Sequence, residues 1–231
     1  MREKFLNKSM LSIKNKFPEY DQDKLDEISY GLEALYITFT KTIVIFGVSL
    51  ILNIVKEVLY ILISYNIIRS YAFGMHAKKS WHCYIISGVL FIGTAAICKY
   101  IDINTYVKYS ISLISFIILI RYAPADTYKR PLINKYKRKK YKIITIILSS
   151  IYLILIIILK NSIVSSYLCF GLLDASLMIH PLVYRMFQLP YDNYKNYNVT
   201  YNWYGTNIVR RYRDVSKIIK FYWLTICWCW Y

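Results

Sequence analysis

The stretch from Arg69 to Cys83, R-S-Y-A-F-G-M-H-A-K-K-S-W-H-C, carries residue types that could do chemistry. It places two histidines, a cysteine, a glycine and three basic residues between two apolar runs. A cysteine with a histidine is the smallest unit of thiolate nucleophilic catalysis: imidazole takes the proton and sulfur attacks a carbonyl. Lys78, Lys79 and His82 precede Cys83, and nearby positive charge favours a thiolate. His76 is the candidate base. His82 adjoins Cys83, but neighbours on a helix point about 100° apart, so it is the poorer one. A continuous helix would hold His76 and Cys83 about 10.5 Å apart along its axis, at about 1.5 Å per residue. Proton transfer needs about 3 Å or one bridging water. The pair therefore predicts a break in the helix between Gly74 and Cys83, which Gly74 and Lys78-Lys79-Ser80 favour. Arg69 could hold a substrate carboxylate or help neutralise an oxyanion. Its structural alternative is snorkelling to lipid headgroups.

These residues must be positioned by membrane segments. The chain of 231 residues is 57% hydrophobic, with a mean hydropathy of +0.33. It is too apolar for an ordinary soluble domain and too interrupted for a single anchor. The expected fold is all-α and polytopic, with about six hydrophobic segments. They read as 34–55, 58–68, 84–98, 107–120, 143–159 and 163–187. The second has eleven residues, too few for a bilayer core that needs about 20. It must run past Arg69, enter as a re-entrant piece or sit in a thinned bilayer. Residues 1–33 are polar, with Leu6, Met10, Ile13 and Phe17 on one helical face and Leu25, Ile28, Leu32 and Leu35 on another. They read as interfacial amphipathic helices, or as helices packed on the domain, with Asp21 or Asp23 capping the second. Residues 34–187 then form the membrane domain and 188–231 an aromatic-rich tail, cytoplasmic or interfacial.

Positive charge gives the orientation. With six crossings and a cytoplasmic N-terminus, the inside regions hold six Lys/Arg before Ala34, three in 69–79, nine in 121–142 and seven from Arg185 onward. Outside connections hold only Lys56, Lys99, Lys108 and Lys160, and Lys41 lies within a span. This places the chain in the cell membrane, with His76 and Cys83 at the cytoplasmic face. The connection 121–142 contains Lys129, Arg130, Lys137, Arg138, Lys139, Lys140 and Lys142. It reads as an ordered turn followed by a basic strip. The strip could hold an acidic peptide, or serve as a stop-transfer block on anionic lipid. The net charge of +17 is accounted for by topology, which leaves no case for nucleic acid.

Other features point to no further chemistry. Five cysteines show no disulfide or zinc-finger spacing, Cys227-Trp-Cys229 is too lone a pair for a metal, and no cofactor motif is present. H-E-x-x-H, G-x-S-x-G and Walker patterns are absent from the sequence. His180-Pro181 reads as a kink with a packed histidine. Asp126 and Asp174 could orient a histidine. Asp174 is the more unusual, since ionisable groups inside a membrane segment default to functional hypotheses.

Two blocks now carry a resemblance. The first runs from Arg69 through Gly74-Met75-His76-Ala77 to Cys83; the second is Tyr122-Ala-Pro-Ala-Asp-Thr127 with Lys129-Arg130-Pro131 and the basic run after it. Together they resemble the accessory gene regulator B (AgrB) family, membrane cysteine endopeptidases of Gram-positive quorum sensing. The likeness covers about residues 1–195. Phe73 stands where the family often has glycine, and most members lack the tail. The resemblance implies that His76 and Cys83 are the catalytic pair, with Arg69, Gly74 and the basic residues supporting substrate or oxyanion. It also implies a short amphipathic pro-peptide with an acidic C-terminal part. Cys83 would attack the carbonyl preceding that part, and an internal Cys or Ser would then close a thiolactone or lactone. It suggests a homodimer. The rival readings are a non-enzymatic peptide transporter or exporter, and a metal transporter using His76, His82 and Cys83.

Overall fold

The computed structural model describes residues 2–75, 80–127, 131–160 and 162–195. Among these the chain is built from helices: α1 (Arg2–Lys16), α2 (Gln22–Ile51), α3 (Val55–Ala72), α4 (Ser80–Tyr100), α5 (Thr105–Tyr122), α6 (Lys135–Ile158), α7 (Ile163–Ile179) and the short α8 (Pro181–Met186). Helices α2 to α7 run alternately up and down, so the end of α3, the start of α4, the end of α5, the start of α6 and the end of α7 share one side. Contacts confirm both ends. On one side Phe73 pairs with Ala125. On the other, Tyr100 Oη donates to the Leu52 carbonyl at 2.8 Å and Lys108 Nζ to that of Lys160 at 3.3 Å.

The surface is inverted relative to a water-soluble bundle. In α6 the residues turned inward are Thr145, Ser149, Tyr152 and Ile156. Those turned outward are Ile143, Ile147, Ile151, Ile154 and Ile158, each exposed. α5 likewise buries Lys108, Ser112 and Ser115 while exposing Leu113, Ile114 and Ile117. Apolar side chains at helical spacing on the outside, with hydroxyls between helices, are what a lipid solvent selects. Among the described residues, four helices are long and apolar enough to cross a membrane, by length and composition: Lys24–Ile51, Trp81–Tyr100, Thr105–Tyr122 and Lys135–Ile158. The chain is an all-α membrane protein.

The doubtful second segment takes the first of its expected alternatives. α3 is 18 residues long, extending backward through Lys56-Glu57 and forward past Arg69. At about 1.5 Å per residue it spans about 27 Å. It lies in the middle of the bundle, so Val58, Ile61, Leu62, Tyr65, Ile68 and Ala72 are all buried. α7 is its closest partner. A Cβ on Gly171 would stand 2.3 Å from Ser64 Oγ and 3.0 Å from the Tyr65 nitrogen, so the two backbones meet where only glycine fits.

The N-terminal residues are helical, in α1 and in the first turns of α2. Asp21 caps α2, its carboxylate accepting from the Lys24 N–H at 2.9 Å. On α1, Leu6, Met10, Ile13 and the following Phe17 are half-buried. α1 leans on α2 through Arg2–Glu33 at 3.2 Å and Phe5 against Tyr36. α2 itself runs unbroken from the polar N-terminal region into the first apolar segment. Farther on, α7 ends at Ile179 and α8 starts at Pro181. His180 is the kink, extended as a residue before proline must be, with Nδ1 accepting from the Leu182 N–H at 3.2 Å.

Candidate active site

α3 stops abruptly. Phe73 takes φ 60°, and Gly74 takes φ 128°. The helix cannot propagate through such angles, and α4 restarts at Ser80. The break expected between Gly74 and Cys83 is therefore present. Two neighbouring elements hold the released strand. Gly74 N–H donates to the Ala125 carbonyl at 3.1 Å, Ala125 N–H to Ala72 at 2.9 Å and Met75 N–H to Met178 at 3.0 Å. Arg69 reaches over the turn: Nη2 donates to the Met75 carbonyl at 3.1 Å, and Nη1 donates to the Tyr65 hydroxyl. A Cβ on Gly74 would lie 3.0 Å from the Met178 carbonyl oxygen. Glycine is required there both for its angle and for the close approach.

Phe73 occupies a left-handed backbone angle that favours glycine. Its ring packs edge-on against Tyr141 at 5.1 Å between centroids, and Tyr71 approaches the same ring at 6.3 Å. These contacts tie the end of α3 to the first turns of α6.

The second sequence block is the partner strand. Residues 123–127 lie beside Phe73-Gly74, so the two motifs, distant in sequence, form one backbone lattice. Asp126 anchors this strand from below. Its Oδ1 accepts from Asn193 N–H at 2.9 Å, and Oδ2 accepts from Tyr194 N–H at 2.7 Å and Leu132 N–H at 3.4 Å. The Tyr184 hydroxyl donates to its backbone carbonyl at 3.1 Å. Burial pushes the Asp126 carboxyl above the usual carboxylate range, and the donors from Tyr194 and Asn193 draw it back. Asp126 thus serves as a staple between the strand and the segment after α8. Asp174 sits elsewhere, within α7, accepting from Thr94 Oγ at 3.3 Å.

Cys83 lies in the first turn of α4 and is half-buried, in no disulfide among the described residues. Lys41 of α2 points its ammonium at the sulfur, Nζ to Sγ 3.7 Å. Lys41 is only 1% exposed. The adjacent pair, Thr40 and Tyr84, hydrogen-bond through their hydroxyls and fix the register of the two helices. His82 turns to Trp81 and to Phe187, at 3.8 Å and 5.7 Å between ring centroids. Sequence reasoning did not select Lys41. The available signal was its charge within an apolar run, which marks a functional candidate.

The basic strip forms the first turns of α6, capped by Asn134, which accepts from Lys137 N–H at 3.1 Å. Cations at a helix N-terminus oppose the helix dipole, so this placement serves something other than helix stability. Lys137, Lys139 and Lys140 are exposed. Arg138 differs: it donates to the Leu132 carbonyl at 3.1 Å and stacks on the Tyr194 ring at 3.7 Å. It belongs to the same clamp as Asp126. His76, Lys78, Lys79, Lys129, Arg130 and the tail beyond residue 195 lie outside the described residues. Among those described, no group of acidic, histidine and cysteine side chains could hold a metal.

Comparison with known proteins places these features in a wider set. The model of the family described as accessory gene regulator B matches residues 6–182. An AgrB-like protein of Clostridium acetobutylicum is 28% identical over 83% of this chain and 92% of its own length. The accessory gene regulator protein B of Staphylococcus saprophyticus is 32% identical over 71% of this chain and 88% of its own. That of Staphylococcus carnosus is 36% identical over 61% and 75%. No solved structure matches the chain.

Proposed function

The chain belongs to the accessory gene regulator B family, which acts in quorum-sensing peptide processing, and from that premise we propose that it is a membrane cysteine endopeptidase. Its substrate is a short amphipathic pro-peptide with an acidic C-terminal part. Cys83 is the nucleophile and His76 its base. The observation that carries the reading is local. Both motif blocks meet in one lattice at the end of the bundle that also bears Cys83 and the basic start of α6.

The steps follow from these roles. His76 takes the thiol proton, and Cys83 Sγ attacks the carbonyl carbon before the acidic part. The C–N bond of the tetrahedral intermediate breaks, and His76 returns the proton to the departing amine. The peptide remains as a thioester on Cys83. An internal Cys or Ser of the peptide then attacks, giving its proton to His76, and closes a thiolactone or lactone as Cys83 leaves. Exchange of one thioester for another is close to isoenergetic, so this step needs no external energy. Seclusion from water protects the acyl-enzyme. Arg69 holds the Met75 carbonyl and so fixes the segment leading to His76. Lys137, Lys139 and Lys140, with Lys129 and Arg130, draw in the acidic end of the peptide, while anionic lipid shares the same surface. The charge distribution supports a cytoplasmic orientation of this face, and family likeness suggests a homodimer.

The test uses full-length protein co-expressed with the acidic-ended pro-peptide. Cys83→Ala should insert normally and cleave nothing, while Cys98→Ser and Cys169→Ala remain active. Cleavage by Cys83→Ala would refute the endopeptidase reading and leave the transporter alternative.

A further inference from the structure

We propose that the ammonium of Lys41 is the built-in counter-charge of the Cys83 sulfur, stabilising the thiolate before attack and again when it departs. This rests on the cysteine chemistry above.

Three observations support it. The ammonium lies 3.7 Å from the sulfur, within reach of a charge-assisted contact. The lysine is almost wholly buried, in a helix whose outward residues Phe39, Ile43 and Val44 face lipid. A buried ammonium is stabilised by an opposing charge. A thiolate is such a partner. Finally, the Thr40–Tyr84 hydrogen bond locks the helices at this level, so the approach is built into the fold. The elements packed on α4 supply other charges at this end or below. α3 brings Arg69, directed at Tyr65 and the Met75 carbonyl. α7 brings Asp174, at Thr94, about three turns deeper at 3.6 residues per turn. α4 itself carries His82, turned to Trp81 and Phe187. Lys41 itself contacts the sulfur directly.

The role applies to both halves of the reaction. In the first, the Sγ electron pair forms the C–S bond while the C–N pair leaves with the amine. In the second, the incoming peptide thiol or hydroxyl loses its proton to His76 and forms the new bond. The C–S pair then returns to Cys83 as a thiolate beside the same ammonium. A histidine can give and take the proton. A fixed ammonium keeps the sulfur a good leaving group, which ring closure requires as much as cleavage does.

The test needs no peptide. Full-length protein in detergent is alkylated with neutral iodoacetamide, and the rate at Cys83 is read by peptide mass spectrometry at pH about 7 and about 10. The ratio of the two rates separates thiolate fraction from access. An ordinary thiol, with pKa about 8.5, gives a ratio of about thirtyfold. Wild type should give less than about tenfold. Lys41→Met should exceed about thirtyfold, and Lys41→Arg should stay within about threefold of wild type. Lys41→Gln, neutral but able to hydrogen-bond, takes the place of Lys41→Met if that variant does not fold. An ordinary ratio in wild type overturns the proposal, as does a wild-type ratio in the neutral variants. If Cys83→Ala still cleaved peptide, the endopeptidase reading would fail while these rates still decided the Lys41–Cys83 pairing.

Discussion

Replacing Gly74 by alanine separates the geometry of the strand from the reactivity of the cysteine. Residue 74 has φ 128°, and an added Cβ would stand 3.0 Å from the Met178 carbonyl oxygen. That atom is backbone and cannot rotate away. Holding an L-residue in such a conformation costs about 1–3 kcal/mol. The chain can relax by giving up the Gly74–Ala125 and Met75–Met178 hydrogen bonds, each worth about 1 kcal/mol. Either way the segment leading to residue 76 moves. If the cost is carried into the transition state, kcat/KM should fall about 5- to 150-fold, at 1.4 kcal/mol per decade. Cys83 sits on α4 and is contacted by Lys41 of α2. Its alkylation rate by iodoacetamide should therefore change less than about twofold. The assay is peptide cleavage in vesicles beside alkylation of the same preparation. Wild-type cleavage by Gly74→Ala would refute the argument, and so would a matched loss of cleavage and alkylation, which would mean general misfolding.

Three further outcomes are expected. Phe73→Gly relieves a left-handed backbone worth about 1–3 kcal/mol but loses a ring contact worth about 0.5–1.5 kcal/mol; Phe73→Ala loses the ring and keeps the strain. Melting temperatures should therefore rank Phe73→Gly at or above wild type and Phe73→Ala below both. Asp126→Asn puts an NH2 where two N–H groups need an acceptor, and should destabilise the fold by about 1–3 kcal/mol, seen as a lowered melting temperature and lost cleavage; an unchanged melt would show that the clamp contributes nothing. Neutralising Lys137, Lys139 and Lys140 should raise KM more than it lowers kcat, and the loss should shrink for a peptide whose acidic residues are neutral; strictly additive effects would exclude contact between them.

Much of this was legible because it is local. The end of α3 could be expected at Gly74, the cap at Asp21 and the kink at His180-Pro181, since each rests on near neighbours in sequence. The length of α3 was not legible from hydropathy, because its charged ends look like segment boundaries. Only burial by α7 and its neighbours makes a helix through Lys56, Glu57 and Arg69 sensible. Asp126 was a candidate partner for a histidine; its actual donors come from residues 132, 193 and 194, which no short-range rule connects to it. Lys41 and Cys83 are likewise joined only by the packing of α2 on α4. The departure at Phe73 could be noted in the sequence, but its compensation by Tyr141 needed the fold.

The clamp on Asp126 also sets how short this protein can be made. The family match ends at residue 182, yet the donors that fill the carboxylate come from Asn193 and Tyr194. Arg138 stacks on the same Tyr194. A chain cut after α8 would leave the buried carboxylate only its Leu132 donor among those described, and loosen the strand beside Gly74. A cut after Lys195 would leave it satisfied. Reporter fusions and truncations meant to preserve the site should therefore join the chain no earlier than residue 195.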